Sequence, residues 1–129
     1  MADITISLSG LSTEIAALIV GKVDLGSTNA EGICRILTGA SVTIVDIPLD
    51  TPPAFSLGGD DYIANGVPAQ GTAVASGTAA KAQVLDRDEN VVCEGSATII
   101  GANGFAQLDR SEIEINDVVT LQSMTVTGP

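Results

Sequence analysis

Side chains branched at Cβ dominate this chain, which carries thirteen Ile, twelve Val and twelve Thr among its 129 residues. Such side chains are stiff at χ1 and fit a pleated sheet better than a helix. Aromatic side chains are scarce, because Phe55, Phe105 and Tyr62 are the only ones in the sequence. The composition therefore predicts an all-β fold whose core is filled by Ala, Val, Ile and Leu.

The charge balance is strongly acidic, since five basic and sixteen acidic residues give a formal net charge of −11. Phosphate backbones are bound by clustered Lys and Arg, so nucleic acid is not expected as a partner. An anionic membrane surface is not expected either. No run of 18 apolar residues predicts a transmembrane helix, and residues 1–4 lack the basic segment of a signal peptide.

The first ten residues predict a strand. Ile4, Ile6 and Leu8 alternate with Thr and Ser, which is the period of two that a half-buried strand requires. Because this strand precedes the rest of the pattern, we interpret residues 1–10 as an N-terminal arm or an edge strand. Such an arm is able to pair with the sheet of a neighbouring molecule.

Residues 12–20 are the one helix candidate in the chain. Ser12 is a suitable N-cap, and Leu18 and Ile19 share a face with an earlier isoleucine. Gly21 is expected to end the helix. A helix of two to three turns is not stable alone, so we expect it to pack on the sheet.

Short strand patterns separated by turn residues fill the rest of the sequence. They cover residues 33–37, 42–47, 55–57, 78–85, 91–100 and 118–127. Residues 58–72 are rich in Gly, Pro, Asp and Asn, and we interpret them as a long, partly extended surface loop around Tyr62 and Ile63. The apolar phase slips within the last strand, which predicts a β-bulge near Gln122 and Ser123.

Seven to nine short strands with regular turn signals are typical of a sandwich or barrel. No fixed-period repeat, linker or low-complexity tail divides the chain. We therefore predict that residues 1–129 form a single all-β domain, a jelly-roll-like β-sandwich with one short helix near its N-terminus.

Catalytic and metal chemistry find little support in the sequence. The absence of His excludes the usual Ser and Cys triads, and Cys34 and Cys93 without His do not make a standard zinc site. Asp86, Asp88 and Asn90 have the spacing that opens a calcium loop, but the Gly and Glu that complete it are missing. We interpret them as a hairpin turn, expect two buried free thiols, and predict neither an enzyme nor a cofactor.

The order of several short motifs resembles a family of small structural proteins from tailed-phage and prophage particles. The motifs read RILTG, PAF, GTAA, VLDRD, NVVCEGS and VTLQSMTVT. They occupy Arg35–Gly39, Pro53–Phe55, Gly77–Ala80, Val84–Asp88, Asn90–Ser96 and Val119–Thr127. The chain departs from the family pattern at Lys81–Gln83, where an aromatic-Arg pair is usual, and at Met124, where Phe is usual.

The resemblance implies a virion protein, made in the bacterial host cytoplasm, that decorates the capsid surface and stabilises the shell. It implies the major capsid protein as partner and no catalytic residues. The symmetry of a shell built from hexamers and pentamers further suggests a homotrimer. We expect the interfaces to include Ile4, Ile6 and Leu8 in the arm, and Tyr62 and Ile63 in the loop.

Two other functions remain open at the level of sequence. The first is a head fibre, a neck or tail adaptor, or a baseplate subunit of the same particle. The second is a carbohydrate-binding or adhesin-like β-sandwich, although sugar binders usually stack rings on exposed aromatic side chains, and this chain has only three aromatic residues.

Overall fold

The computed structural model describes residues 17–58, 61–102 and 104–126. The strand predicted over residues 3–8 and the first part of the predicted helix lie outside these ranges. Residues 17–23 are helical and are named α1 here.

The end of α1 and its buried face both differ from the prediction. The helix continues past Gly21 to Val23, whose side chain is fully buried together with that of Val20. Leu18, which was assigned to the buried face, is 71% exposed, whereas Ile19, which was assigned to the same face, packs against the core as expected. The helix therefore packs on the sheet through its last turn, and the valines select the face that is buried.

Eleven strands follow α1 within the described part of the chain. They are β1 (Ile33–Leu37), β2 (Thr43–Pro48), β3 (Phe55–Gly58), β4 (Asp61–Ala64), β5 (Ala69–Thr72), β6 (Gly77–Thr78), β7 (Lys81–Leu85), β8 (Val91–Ile99), β9 (Ala106–Leu108), β10 (Glu112–Ile113) and β11 (Val118–Val126). One mixed sheet runs in the order β2-β1-β7-β8-β9-β11-β4-β3, with β5 also paired to β11. Strands β6 and β10 pair separately. The predicted all-β domain with one short helix is confirmed, and the jelly-roll connectivity stays a prediction.

The sheet curls until β2 approaches β5. The Val74 amide, just after β5, donates a 2.8 Å hydrogen bond to the Ile44 carbonyl in β2. Gly71 in β5 lies so close to β2 that a Cβ atom there would overlap the carbonyl oxygen of Asp46. Only glycine permits this approach, so the curl of the sheet depends on Gly71.

The curled sheet encloses one aliphatic core. Its fully buried side chains are Val23, Cys34, Ile36, Ile44, Val45, Ile47, Val84, Leu85, Leu108, Val119, Leu121 and Met124. Phe55 is the only aromatic residue among the buried side chains in the described ranges, and Tyr62 and Phe105 pack against the core while partly exposed. The core is therefore aliphatic, as the composition predicted.

The two most regular strand patterns are confirmed. Strands β7 and β8 form the expected antiparallel hairpin, with Gln83 opposite Glu94. The register between β11 and β9 shifts between Leu121 and Ser123, where the bulge was predicted. Leu121 and Met124 are both buried, so the bulge restores the apolar phase of the strand.

The interpretation of residues 58–72 as a loop is wrong, because most of this segment is paired. Strand β4 lies between β3 and β11, and β5 pairs with the first half of β11. Turn-forming residues are frequent here because the two strands are short and joined by a tight connection around Gly66, which has a φ of +69°. Tertiary pairing outweighs the local turn preference of this segment.

The parallel pairing of β8 with β9 was not predicted either. A parallel pair usually needs a crossover of a dozen or more residues, whereas only residues 100–105 separate these strands. Gly101 adopts a φ of +94°, and a Cβ atom on Gly104 would overlap the side chain of Thr98. Two glycines thus make the short return possible.

We predict that Gly71→Ala destabilises the fold by about 1–3 kcal/mol, the usual cost of inserting a methyl group where no room exists. The matched control is Gly39→Ala, because no atom lies within 4 Å of a Cβ at that position; its effect should stay within about 0.5 kcal/mol. Urea unfolding measures both values. Equal stability of the two variants would contradict the role given to Gly71.

Candidate interaction surfaces

The hairpin of β3 and β4 carries the two predicted interface residues inside the described ranges. Tyr62 lies opposite Leu57 on one side and Val126 on the other, and it packs against the core. Ile63 lies opposite Thr125 on the outer face and is 43% exposed. The two residues therefore face opposite sides of the sheet and cannot belong to one flat contact.

The remaining predicted interface residues, Ile4, Ile6 and Leu8, lie outside the described residues. Their placement in an arm stays a prediction.

Three loops that lie close together at one end of the sheet each expose an apolar side chain, and no local sequence pattern predicts this grouping. Val42, Val74 and Ile115 are 53%, 66% and 55% exposed. Val74 is held beside β2 by its bond to Ile44, and the Ile115 amide donates a 2.9 Å hydrogen bond to the Ser76 hydroxyl. We name these three side chains the apolar end. They are distant in sequence, so no local pattern could have grouped them.

Carboxylates border the apolar end. Glu112 in β10 and Glu114 in the following turn are exposed. Asp117 accepts a hydrogen bond from the Glu114 amide at 2.9 Å and lies 3.5 Å from the Arg110 guanidinium. Acidic side chains therefore border the apolar end beside Ile115.

Two of the three arginines, Arg35 and Arg110, bind acidic groups of the chain itself, and the third, Arg87, donates to the Asn29 carbonyl at 2.8 Å. Arg35 donates to both carboxylate oxygens of Asp46, at 2.8 and 3.0 Å, and to Glu89 at 3.1 Å. The hydrogen bonds with Asp46 raise the pKa of Arg35. Arg110 contacts Asp109 at 3.2 Å in addition to its contact with Asp117.

The pair of Arg35 with Asp46 lies on one half of the outer surface of the sheet. Arg35, Gln83 and Glu94 lie opposite one another on β1, β7 and β8, and Asp46 on β2 continues the row. Gln83 donates to Glu94 at 3.2 Å. We name this half, formed by β2, β1, β7 and β8, the charged face.

The acidic tip of the β7–β8 hairpin is hydrogen-bonded to the loop before β1. One carboxylate oxygen of Asp88 accepts the amides of Ser27 and Thr28, both at 2.9 Å. One oxygen of Asp86 accepts the amides of Asp88 and Asn90, also at 2.9 Å. Backbone amides therefore occupy these oxygens, which supports the interpretation as a turn. The hydrogen bond from the Ser27 amide is the largest of the effects that lower the pKa of Asp88.

We predict that Asp88→Ala lowers the melting temperature at pH 7. The folded-state pKa of Asp88 lies below its unfolded-state value of about 3.9. Its contribution is therefore fully present above that value and is lost as the pH falls through the folded-state pKa. The difference from wild type should close as the pH is lowered through this range.

We predict that calcium does not raise the melting temperature of the wild type. A ligand that binds only the folded state would raise it. Glu112→Ala, which removes an exposed carboxylate elsewhere, is the control. A calcium-dependent rise that Asp88→Ala abolishes would show that the tip is a metal site.

Both cysteines are free. Cys34 is buried in β1 and Cys93 is half-buried in β8, and Val84 of β7 lies opposite each of them. Two strand spacings separate their Cα atoms by about 10 Å, which is beyond the reach of a disulfide. Burial raises the pKa of both thiols, most strongly that of Cys34. The expected free thiols are present, although only Cys34 is fully buried.

We predict that a thiol reagent such as DTNB titrates Cys93 in the native protein and Cys34 only after unfolding. The thiolate is the reactive form, and exposure limits access to it. Cys93→Ser should leave no fast-reacting thiol under native conditions. Equal reaction rates of both thiols, or an intramolecular disulfide detected by mass spectrometry in the folded protein, would contradict the arrangement.

Among the described residues there is no pocket and no group of three or more His, Cys, Asp or Glu side chains that is able to hold a metal ion. No described helix has the length and apolar character needed to cross a membrane. Comparison with protein-family models, curated proteins and solved structures finds no match.

Proposed function

We propose that this chain is a non-enzymatic structural protein of a tailed-phage particle. It binds the outside of the capsid shell through the major capsid protein, stabilises the shell, and acts as a homotrimer. The motif order from Arg35–Gly39 to Val119–Thr127 supports the particle, and the apolar end supports a protein partner.

The apolar end is the observation that carries the proposal. Contiguous apolar surface on a soluble domain marks interaction sites, because leaving it in water is unfavourable. Val42, Val74 and Ile115 are held at one end of the sheet by hydrogen bonds between loops, so they are presented on a fixed frame. Fixed aliphatic side chains bind protein at a small cost in conformational entropy.

The acidic side chains beside Ile115 indicate what the capsid offers in return. Glu112 and Glu114 border the apolar end, and like charges opposite them would be unfavourable. We therefore expect a capsid surface that presents aliphatic side chains flanked by Lys or Arg. Residues 1–10 add to this contact in the proposal, as a strand that pairs with the neighbouring chain.

The copy number in purified particles of the phage that encodes the chain tests the proposal first. Decoration of every equivalent position on a shell gives on the order of hundreds of copies, whereas a neck, tail or baseplate position gives about a dozen or fewer. A count in the lower range, or absence from the particle, would contradict the decoration function.

We predict that Val74→Glu lowers occupancy of the shell by about tenfold or more, the usual effect of removing a central contact residue. The control is Val91→Glu, because Val91 is also more than half exposed but lies next to the β7–β8 tip. Gel densitometry of particles mixed with each variant measures the effect. Equal loss with both variants would remove the apolar end from the interface, and a separate deletion of residues 1–9 tests the arm.

A further inference from the structure

The outer surface of the sheet has a second half, and it differs from the charged face. It is formed by β4, β5, β9 and β11. Thr120 lies opposite Gln70, and Thr125 lies opposite Ile63, so these pairs share the outer side. Gln122 and Ser123, at the bulge, are half-buried between the inward Leu121 and Met124.

We name this region the neutral strip and define it by six of its outward residues. They are Ile63, Gln70, Thr120, Gln122, Ser123 and Thr125. Strand pairing shows that they are continuous, because β11 runs through the middle with β4 and β5 on one edge and β9 on the other. From Thr120 to Thr125 the strip extends for about 17 Å at about 3.3 Å per residue.

Between the Thr72–Val118 row and the Ile63–Thr125 row, no outward residue within β4, β5, β9 or β11 is charged. Asp61 lies at the β4 end of the strip, and Asp117 comes directly before Val118. On the β9 side, the Asp109 carboxylate accepts the Thr120 amide at 3.0 Å and is paired with Arg110 at 3.2 Å. This gap occurs in a chain with a net charge of −11. Depletion of charge is the compositional mark of the central part of a protein interface.

We infer that the neutral strip is the surface through which copies of this chain associate with one another. Two copies carry the same negative charge, and like charges brought together across an interface are unfavourable. In a trimer whose three neutral strips face the threefold axis, the strips do not bring like charges together. The carboxylates on the rest of the surface stay in water. A basic partner would gain no electrostatic attraction from an uncharged strip, so the charge pattern favours a second copy of the chain over a basic protein as the occupant.

The side chains of the strip suit such a contact. The Gln70 amide already lies 3.5 Å from the Thr120 hydroxyl, and hydroxyl and amide groups are both donors and acceptors. Identical polar groups from two copies are therefore able to hydrogen-bond to each other, which two identical carboxylates do not do at neutral pH. Ile63 adds an exposed aliphatic side chain at one end of the strip.

This inference rests on the proposed function, which includes the trimer, but it is tested separately on the isolated full chain. We expect light scattering after gel filtration to give about three times the chain mass of 13.0 kDa at micromolar concentration. The Gln70→Glu/Gln122→Glu double variant should fall to the monomer mass while its circular dichroism spectrum stays unchanged. These changes are nearly isosteric, so they add charge with little change in shape.

The single variant Gln122→Glu is matched by Gln83→Glu, which makes the same change in the middle of β7 on the charged face. Gln83→Glu should keep the oligomer, and Gln122→Glu should weaken it. In 1 M salt the screening length is about 3 Å, so repulsion between the added carboxylates is screened and the double variant should reassociate. A misfolded variant would not reassociate.

A wild-type chain of monomer mass, a double variant that stays oligomeric, or equal loss with Gln83→Glu would each overturn the inference. These results are distinguishable from failure of the proposed function. A monomeric chain that still binds particles in hundreds of copies would keep the decoration function and remove the neutral strip. If the wild-type oligomer is disrupted in the double variant but the chain is absent from particles, the neutral strip is kept and the decoration function is removed.

Discussion

The approach of β2 to β5 is the contact on which the enclosed core depends. With few aromatic residues, two separate sheets at the usual spacing of about 10 Å would leave gaps between short aliphatic side chains. Curling one sheet until β2 lies against β5 brings the strands closer, and Gly71 allows β5 to lie against the Asp46 carbonyl. Register shifts in β1, β7 and β11 accompany the curl, because a bulge bends a strand and increases its twist.

The arrangement of charge on the outer surface follows from how the few cations are used. Arg35 neutralises Asp46 and Glu89 on the charged face, and Arg110 contacts Asp109 and Asp117 near the apolar end. Because these cations are engaged within the chain, the net charge of the surface is set by the remaining carboxylates. These carboxylates make contact with an anionic partner unfavourable, but they do not oppose a second copy that binds at a surface without charge.

The parts of the fold that the sequence predicted are those whose pattern is local. Strands β7 and β8 alternate clearly around a polar turn, and the phase slip in β11 marks its bulge within four residues. Strands β4 and β5 were missed because their turn residues outweigh two short pairings that become favourable only beside β11. The buried face of α1 was misassigned because Val23 follows Gly21, and glycine was expected to end the helix.

The candidate surfaces show the same division between local and distant information. Tyr62 and Ile63 were grouped because they are neighbours in sequence, but adjacent residues on a strand face opposite sides. The apolar end joins three loops that no periodicity connects. The lack of charge from Val118 to Val126 is visible in the sequence, yet its meaning depends on which strands lie beside β11. Once Gln70 and Ile63 are known to flank that strand, a gap in the charge pattern of one segment becomes a continuous surface, and a surface is what a second molecule recognises.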